Sequence, residues 1–458
     1  MTVANDIARV LVVGGGAAGT LVAAALLDQA EEPVEVVVAE RHGEVGLGLA
    51  YGTDDPLHRL NVPASGMSAW AGDPHHFVRW SGLPPAAFAP RALYGRYLQD
   101  VLVEAQRAAR PGASLARLPR EVVDLTDAAT SGVTRRSATL DDGSRLPVDV
   151  VVLATGNAPP AALPGLDPAL HDDPRIVPDP WAPGALEQVP PGSRVLAIGT
   201  GLTFVDVALT LTARDPDTCV DGLSRHGLLP RAHRLDDRPR RTVMPPADLR
   251  LSTLIRWLRA ADDDVLDAVD ALRPETDRIW RGWSASEQSS FLRHAARRWE
   301  VLRHRMAPDS AVRLASLIRD GRVAILSGSV TLVSANGSGV TATLADGRRL
   351  DADTVVACTG PASSLRRPDE PLVGRLVDRG LARVGPHGLG LDVEPRTGVV
   401  RDAKGRSDAS LLAMGGLRRG VLWETTAVPE LRVQADHVAD YVLERVAREP
   451  AGRRPRAG

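Results

Sequence analysis

The hydrophobic pattern of the chain opens with a strand, a glycine turn and a helix. A short apolar run at residues 10–13 is followed by the glycines of Gly14–Gly19 and an Ala-rich stretch. A second apolar run, Val34 to Ala39, ends at Glu40. Two short apolar runs on either side of an apolar stretch of helical length are typical of a β–α–β unit. The pattern therefore predicts an α/β fold.

The same pattern occurs a second time, at Arg194–Phe204. Each copy is followed later by alternating apolar positions, an Asp-Gly turn and an apolar strand. That strand ends in Thr155-Gly156 in the first copy and in Thr359-Gly360 in the second. A supersecondary unit that is repeated in this way predicts two dinucleotide-binding folds, and hence two dinucleotides.

We divide the chain into three parts on this pattern. Residues 1–165 and 363–458 form a first dinucleotide-binding domain, residues 190–234 and 319–362 form a second, and residues 235–318 form a helical insertion. The predicted fold class is thus α/β, with two Rossmann-like domains and a helical insertion. The insertion would either cap a substrate site or pack on the sheet. We expect its tryptophans to be core anchors, namely Trp257, Trp280, Trp283 and Trp299.

Composition narrows the classes of partner. A formal net charge of −2 gives no reason to expect nucleic acid or an acidic membrane. No apolar run reaches the length of a membrane span and no basic region precedes the first one, so we expect a cytoplasmic protein. The 2 cysteines, Cys219 and Cys358, lie far apart in the sequence, which predicts neither a redox Cys-x-x-C pair nor a metal cluster.

The first glycine turn has the spacing of a dinucleotide-binding motif. Gly14 would allow the tight turn, Gly16 the approach of a pyrophosphate, and Gly19 the close packing of helix on strand. The positive end of the helix would face the phosphates. Glu40 suits a free ribose diol and would repel a 2′-phosphate, which favours FAD or NAD at this site.

The second turn differs at two positions. Phe204 stands where a third glycine is expected, so we expect helix and strand to lie further apart in this copy. The strand after the turn ends in Ser224-Arg225 instead of an acid. A guanidinium and a hydroxyl suit the 2′-phosphate of NADPH.

Two further segments have alternative interpretations. The glycines of residues 46–52 either pass close to the first dinucleotide or belong to an ordinary loop. Near the C-terminus, Trp423–Glu430 carries helix-start signals, with Thr425 or Thr426 as the cap. That helix would direct its dipole at a flavin ring or would simply close the fold.

These residues resemble the flavoprotein monooxygenases with two dinucleotide-binding domains, a class that includes flavin monooxygenases and ornithine and lysine N-hydroxylases. Several segments are more similar to a bacterial FAD/NAD(P)-binding subgroup that includes nitrosuccinate-forming aspartate N-monooxygenases. These segments are Gly48–Gly52, Leu60–Pro63, Met67-Ser68, Gly227–Arg231 and Leu422–Glu430. The Phe-x-Gly-x-x-x-His motif of the Baeyer–Villiger and flavin monooxygenase branches is absent between the two folds. The usual aspartate of the C-terminal FAD segment is replaced by Gly416.

The resemblance implies two cofactor sites. FAD would be bound by Gly14, Gly16, Gly19 and Glu40, with Asn61-Val62-Pro63 near the flavin ring and Thr425-Thr426 at its edge, while NADPH would be held by Gly199, Gly201, Thr203 and Arg225. The predicted sites also include adjoining residues, namely Ala17, Ala18, Arg41, Gly48, Tyr51, Met67, Thr155, Gly156, Leu202, Ser224, Thr359, Gly360, Gly415 and Trp423.

The function implied is transfer of oxygen from a flavin C4a-(hydro)peroxide to a small nucleophile, which we expect to be the nitrogen of an amine or amino acid. His58 and Asn61 are candidate catalytic residues, with a surface loop and loop capping as their alternatives. Arg91, Tyr94 and Arg96 are candidates for binding a substrate carboxylate, although both arginines also suit a solvated helix face. A small molecule and O₂ are the expected partners, and a homo-oligomer is compatible with the sequence.

Three other functions stay open at this point. The chain would be a flavin-dependent dehydrogenase or reductase that does not use oxygen productively, an enzyme that oxidises sulfur or carbon, or a noncatalytic flavin-binding protein. The missing Cys-x-x-C disfavours the related disulfide reductases.

Overall fold

The computed structural model describes residues 7–130, 133–234, 243–362, 365 and 371–448. Its strands are β1 (Ala8–Val13), β2 (Val34–Ala39), β3 (Ala113–Leu118), β4 (Val122–Thr130), β5 (Val133–Leu140), β6 (Arg145–Val148), β7 (Val150–Leu153), β8 (Ile176–Val177), β9 (Arg194–Ile198), β10 (Cys219–Ser224), β11 (Val323–Ser327), β12 (Val330–Asn336), β13 (Gly339–Leu344), β14 (Arg349–Ala352), β15 (Thr354–Ala357), β16 (Val399–Arg401) and β17 (Ser407–Ala413).

The helices cover the predicted positions and several others. They are α1 (Ala17–Gln29), α2 (Gly48–Tyr51), α3 (His76–Ser81), α4 (Arg91–Ala108), α5 (Leu202–Arg214), α6 (Leu251–Ala260), α7 (Val265–Leu272), α8 (Thr276–Gly282), α9 (Ala285–His294), α10 (Ala296–Arg303), α11 (Pro308–Arg319), α12 (Pro371–Asp378) and α13 (Val428–Arg448). Among the residues described, no helix is long and apolar enough to cross a membrane.

The chain forms two compact units. The first comprises residues 1–54, 63–158 and 363–458, and the second comprises residues 55–62 and 159–362. The segments 55–62 and 159–165, which we assigned to the first domain, thus belong to the second unit. Residues 363, 364, 366–370 and 449–458 of the predicted first domain lie outside the described residues.

The first unit is built on a six-stranded sheet in the order β16-β17-β7-β1-β2-β3. All neighbours in it are parallel except β16 and β17. The Ala-rich α1 is buried along almost its whole length, because it packs against both α4 and α13. Small side chains let three helices approach closely, which explains the Ala-rich sequence at this position.

The second unit repeats this plan. Its five-stranded sheet has the order β11-β10-β9-β15-β8 and is parallel throughout. The sequence β15-β9-β10-β11 corresponds to β7-β1-β2-β3, and each unit carries an antiparallel three-stranded sheet, β4-β5-β6 or β12-β13-β14. The predicted α/β fold with two Rossmann-like units is confirmed.

The duplication extends to side chains. The backbone N–H of Arg9 donates to Asp149 Oδ2 at 2.8 Å, and that of Arg194 donates to Asp353 Oδ2 at 2.7 Å. In both copies the aspartate separates the three-stranded antiparallel sheet from the parallel strand that follows it in the chain, β7 or β15. The single apolar strand that we predicted before Thr155-Gly156 is divided by Asp149, which separates the end of β6 from β7.

The insertion is shorter than we predicted. Helix α11 packs on α5 and β11, and it precedes β11 as α4 precedes β3. It therefore belongs to the repeated fold, and helices α6 to α10 make up the described part of the insertion. Trp280 and Trp299 are buried within it, as expected of core anchors, while Trp257 and Trp283 are half-buried.

Candidate functional site

The first glycine turn connects β1 to α1, and its glycines are required for different reasons. Gly14 has a φ of +102°, and a Cβ atom on it would lie 2.5 Å from the carbonyl oxygen of Ala154. A Cβ atom on Gly19 would lie 1.8 Å from the carbonyl oxygen of Gly14. At Gly16 the nearest atom to such a Cβ is the Cα of Gly48, at 3.6 Å. Gly14 and Gly19 thus serve the fold, and Gly16 leaves room for a ligand.

The start of α1 leaves backbone donors available at this turn. Gly16 is the N-cap residue and no side chain caps the helix. The N–H groups of Ala17 and Ala18 therefore lie at the positive end of the helix, where an anionic phosphate is stabilised.

Glu40 follows β2 and lies beside the same turn. Its Oε2 accepts the Gly15 N–H at 2.7 Å, and its Oε1 accepts the His42 N–H at 3.1 Å. A Cβ atom on Gly15 would lie 2.9 Å from the Glu40 Cβ, so Gly15 is also required as glycine. Sequence reasoning missed Gly15, because the motif leaves that position open. The exposed side chain of Arg41 lies 4.0 Å from Glu121.

The glycine-rich loop of residues 46–52 packs against the turn itself. The Gly46 N–H donates to the Gly15 carbonyl at 2.8 Å, and Gly48 opens α2 against Gly16. Tyr51 at the end of α2 meets the ring of Tyr94 edge-on, with 4.7 Å between ring centroids. Burial raises the pKa of Tyr51 to about 12, so its hydroxyl stays protonated. The backbone of this loop does pass close to another group, and among the described residues that group is the backbone of Gly16.

The carboxyl ends of β7 and β17 form the opposite side of the first site. Thr155 and Gly156 follow β7, and Gly415 follows β17 with a φ of +63°. A Cβ atom on Gly416 would lie 2.9 Å from Asn157 Oδ1. Asn157 therefore fills the space that a side chain at Gly416 would occupy, and no motif in the sequence indicates this contact.

Gln434 of α13 joins two parts of the C-terminal segment. Its Oε1 accepts the Gly415 N–H at 3.0 Å, and its Nε2 donates to the Thr425 carbonyl at 3.2 Å. Both residues lie in the predicted FAD segment, and Gln434 is buried. The hydroxyl of Thr425 is buried without a hydrogen-bond partner among the described residues. Sequence reasoning missed Gln434, which looked like one more polar residue of the closing helix.

Helix α13 begins at Val428, so Thr425 and Thr426 precede it and neither is its cap. The predicted cap was wrong because the chain stays non-helical for longer than the Thr-Thr signal suggested. Trp423 is buried, and the guanidinium of Arg419 lies 4.7 Å from the centroid of its ring.

The segment around Asn61 is divided between the units. Asn61 and Val62 belong to the second unit, where His233 Nε2 donates to the Asn61 carbonyl at 2.9 Å. Pro63 and the buried Met67 belong to the first.

His58 is buried in the second unit. Its Nε2 lies 2.9 Å from Thr210 Oγ1, and the Thr210 hydroxyl donates to the Asp55 carboxylate. Since the Thr210 proton goes to Asp55, His58 Nε2 carries the proton that Thr210 accepts. The edge of the ring meets Trp181. These contacts anchor residues 55–62 to α5, so the surface-loop interpretation is wrong and the geometry describes an anchoring residue.

The three candidate substrate residues are not brought together. Tyr94 is fully buried, and burial raises the pKa of its hydroxyl well above the usual value. Arg91 is half-buried and Arg96 is exposed. Two residues along a helix correspond to about 200° of rotation, so Arg96 lies on the face opposite to Tyr94.

The second glycine turn leads from β9 into α5. Gly199 has a φ of +116°, and a Cβ atom on it would lie 1.9 Å from the Cys358 carbonyl oxygen. A Cβ atom on Gly201 would meet nothing within 4 Å, so this position is open, and Leu202 and Thr203 begin the helix beyond it. The ring of Phe204 lies over Gly222 of β10. We expected Phe204 to hold the helix further from the strand. Instead, Gly222 has no side chain, and this leaves the space that the ring occupies.

Ser224 and Arg225 end β10 beside this turn. Ser224 Oγ lies 2.7 Å from Thr200 Oγ1. Arg225 is exposed, and in the part of the chain that the structure describes no acidic group pairs with it. Arg234, by contrast, binds Asp267 at 2.9 Å. Thr359 and Gly360 follow β15, where the Thr359 hydroxyl donates to the Ala161 carbonyl at 2.7 Å. Arg225 is thus a cation available for an anionic group.

Comparisons with known proteins agree with this geometry. Residues 11–158 match a family model described as FAD-NAD(P)-binding. A search of curated protein sequences gave no match.

Similar folds occur among solved structures of amine hydroxylases. The ornithine hydroxylase from Pseudomonas aeruginosa is 16% identical with a TM-score of 0.64, over 96% of this chain and 100% of that one. The ornithine N-hydroxylase from Kutzneria sp. 744, in a complex with reduced FAD, NADP⁺ and L-ornithine, is 15% identical with a TM-score of 0.62, over 96% and 99%. The L-lysine 6-monooxygenase from Pseudomonas syringae is 16% identical with a TM-score of 0.63, over 95% and 99%. The matched model and the fold together indicate an FAD- and NAD(P)-binding flavoprotein.

Proposed function

We propose that the chain is an FAD- and NADPH-dependent monooxygenase that oxidises a nucleophilic nitrogen of a small amine or amino acid. One observation carries the proposal: the fold contains two glycine turns, and the strand next to each turn is followed by a side chain of opposite charge. Glu40 lies beside the first turn, and Arg225 follows the strand beside the second. The first suits the ribose diol of FAD and the second the 2′-phosphate of NADPH.

The residues of the first unit fit FAD. The open space at Gly16 admits a pyrophosphate, and the N–H groups at the start of α1 stabilise its charge. Glu40 is fixed by two backbone N–H groups, so its carboxylate is held in place for a ribose. The Thr425 hydroxyl, buried and without a partner in the described residues, would donate to a polar atom of the cofactor.

When bound, FAD supplies the redox chemistry by taking a hydride from NADPH and activating oxygen. The protein would bind both nucleotides and exclude water from the site.

The substrate class is taken from the amine hydroxylases whose fold the chain shares. The nearer similarity to aspartate N-monooxygenases, noted in the sequence, would narrow it to an amino acid. A disulfide reductase is disfavoured, because the free cysteines Cys219 and Cys358 belong to no Cys-x-x-C pair.

Flavin reduction and reoxidation test the proposal. Purified protein should be yellow, and NADPH should bleach it anaerobically much faster than NADH. After mixing with oxygen in a stopped-flow instrument, a transient absorbance should precede reoxidation, and NADPH consumption should be coupled to hydroxylated product in a screen of amines and amino acids. Absence of reduction would overturn the two-site assignment. Reduction without an oxygen-dependent transient or product would instead identify a dehydrogenase or reductase.

A further inference from the structure

An arginine of the helical insertion reaches the second dinucleotide turn. Arg297 is the second residue of α10 and is half-buried. Its Nη2 donates to the Thr200 carbonyl at 3.3 Å and to the Leu228 carbonyl at 3.0 Å. Thr200 belongs to the glycine turn, and Leu228 lies in the loop that follows β10. One guanidinium therefore connects the turn, the loop and the insertion.

Thr200 fastens the same loop at both of its ends. Its hydroxyl donates to the Leu228 carbonyl at 2.7 Å and accepts a hydrogen bond from Ser224 Oγ, also at 2.7 Å. Thr200 is almost completely buried, with 1% of its surface exposed. Between the two fastened ends lie Arg225, His226 and Gly227. These hydrogen bonds hold the loop that carries Arg225 against the turn. Arg297 of the insertion adds a hydrogen bond to each of the two parts.

The charge of Arg297 is already balanced locally. Glu300, one turn along α10, lies 3.8 Å from its guanidinium. Because this pair offsets the charge, Arg297 acts through its hydrogen bonds more than through attraction of an anion at a distance. Its neighbour Arg298 is exposed on the same helix.

We propose that Arg297 is a positioning residue for the 2′-phosphate of NADPH. By holding the Thr200 and Leu228 carbonyls together, it fixes the place of Arg225 and so sets the preference for NADPH over NADH. This inference rests on the proposed function, in which the second turn binds NADPH. It gives the insertion a role in nucleotide selection.

The test compares Arg297→Met, Arg297→Lys and the matched control Arg298→Met in the full-length holoenzyme. For each we would measure kcat and KM of flavin reduction with NADPH and with NADH. In Arg297→Met the ratio of kcat/KM for NADPH to that for NADH should fall about tenfold or more, through KM for NADPH with little change in kcat. Arg297→Lys keeps donors for both carbonyls, so it should retain most of the preference, and Arg298→Met should match the wild type.

Two outcomes would overturn the inference: an unchanged ratio in Arg297→Met, or equal losses with both nucleotides, which would mean a structural role only. If Arg297→Met fails to fold, Thr200→Val opens the same loop from the turn side. It should lower the ratio in the same direction, and an unchanged ratio would again reject the inference. Failure of the wild type to be reduced by NADPH, measured first, would overturn the proposed function instead.

Discussion

The aromatic ring of Phe204 covers Gly222, and a Cβ atom on that glycine would lie 2.6 Å from two ring carbons. Phe204 stands at the third position of the second glycine motif, where the first copy has Gly19. The two copies therefore solve the same packing problem differently. In the first the helix supplies the glycine, and in the second the neighbouring strand does.

This relationship predicts that Gly222→Ala destabilises the second unit. The added methyl group overpacks a buried site, which costs about 1–3 kcal/mol in free energy of unfolding. Thermal unfolding should show a lower midpoint in Gly222→Ala. Gly282→Ala is the control, because a Cβ atom there meets nothing within 4 Å at the end of α8, so this variant should keep the free energy of unfolding or raise it by up to about 1 kcal/mol. Equal midpoints for the two variants would contradict the packing argument.

Gly16→Ala should separate folding from cofactor binding. The added Cβ has only the Gly48 Cα near it, at 3.6 Å, so the fold should tolerate it. The same methyl group would stand where the pyrophosphate approaches, and FAD affinity should fall about tenfold or more. FAD titration of the apoprotein measures this, with the exposed Gly72→Ala as control. Wild-type FAD affinity in Gly16→Ala would argue against the first site.

Gln434→Glu should weaken FAD binding, although a side chain of nearly the same size still fills this buried position. The carboxylate still accepts the Gly415 N–H, but it has no proton to donate to the Thr425 carbonyl, so two oxygens would face one another in a buried place. We expect an FAD affinity about tenfold lower at neutral pH and a partial recovery in acid, where the carboxyl regains a proton.

Gln288→Glu is the matched control for this variant. Gln288 Nε2 also donates to a backbone carbonyl, that of Trp280 at 2.8 Å, but it lies in the insertion. If both variants lost FAD to the same degree, the cause would be a general effect of the introduced charge. A specific role of Gln434 would then be rejected.

Arg225→Ala should weaken the binding of NADPH and leave the binding of NADH almost unchanged. A charge-assisted contact to a 2′-phosphate contributes about 1.5–3 kcal/mol, so KM for NADPH should rise about tenfold or more. KM for NADH should stay within about twofold, since NADH lacks that phosphate. Steady-state kinetics with both nucleotides measure the split, and the exposed Arg313→Ala serves as control. Equal increases for both nucleotides would discard the assignment.

Thiol labelling should distinguish the two cysteines. Burial raises the pKa of Cys358, and the thiolate is the reactive form, so Cys358 should stay protonated and unreactive at neutral and mildly alkaline pH. Only as the pH approaches that raised pKa would its labelling accelerate. The half-buried Cys219 should account for labelling of the native protein, and Cys219→Ser should take up reagent only after unfolding. Rapid labelling of native Cys219→Ser would contradict the burial of Cys358.

The parts of the site that could be predicted from the sequence are local in the chain. The turn at Gly14–Gly19 and its copy at Gly199 are continuous segments, and Glu40 follows a strand whose place is fixed by the turn. Gln434 and Asn157 could not be predicted, because each meets the backbone of another segment through its side chain, and no motif indicates such a contact. His58 was misplaced for a similar reason, since its contact with Thr210 depends on which unit takes up residues 55–62.

The division of the chain has a consequence for gene recombination. The chain passes between the two compact units after Asp54, Val62, Ala158 and Ala362. A chimera that exchanged residues 159–362 alone would carry Thr210 and leave Asp55 and His58 behind. In such a chimera Thr210 and the rest of α5 would come from one parent protein, and Asp55 and His58 would come from the other. An exchange of the second unit between related proteins therefore has to include the eight-residue segment 55–62.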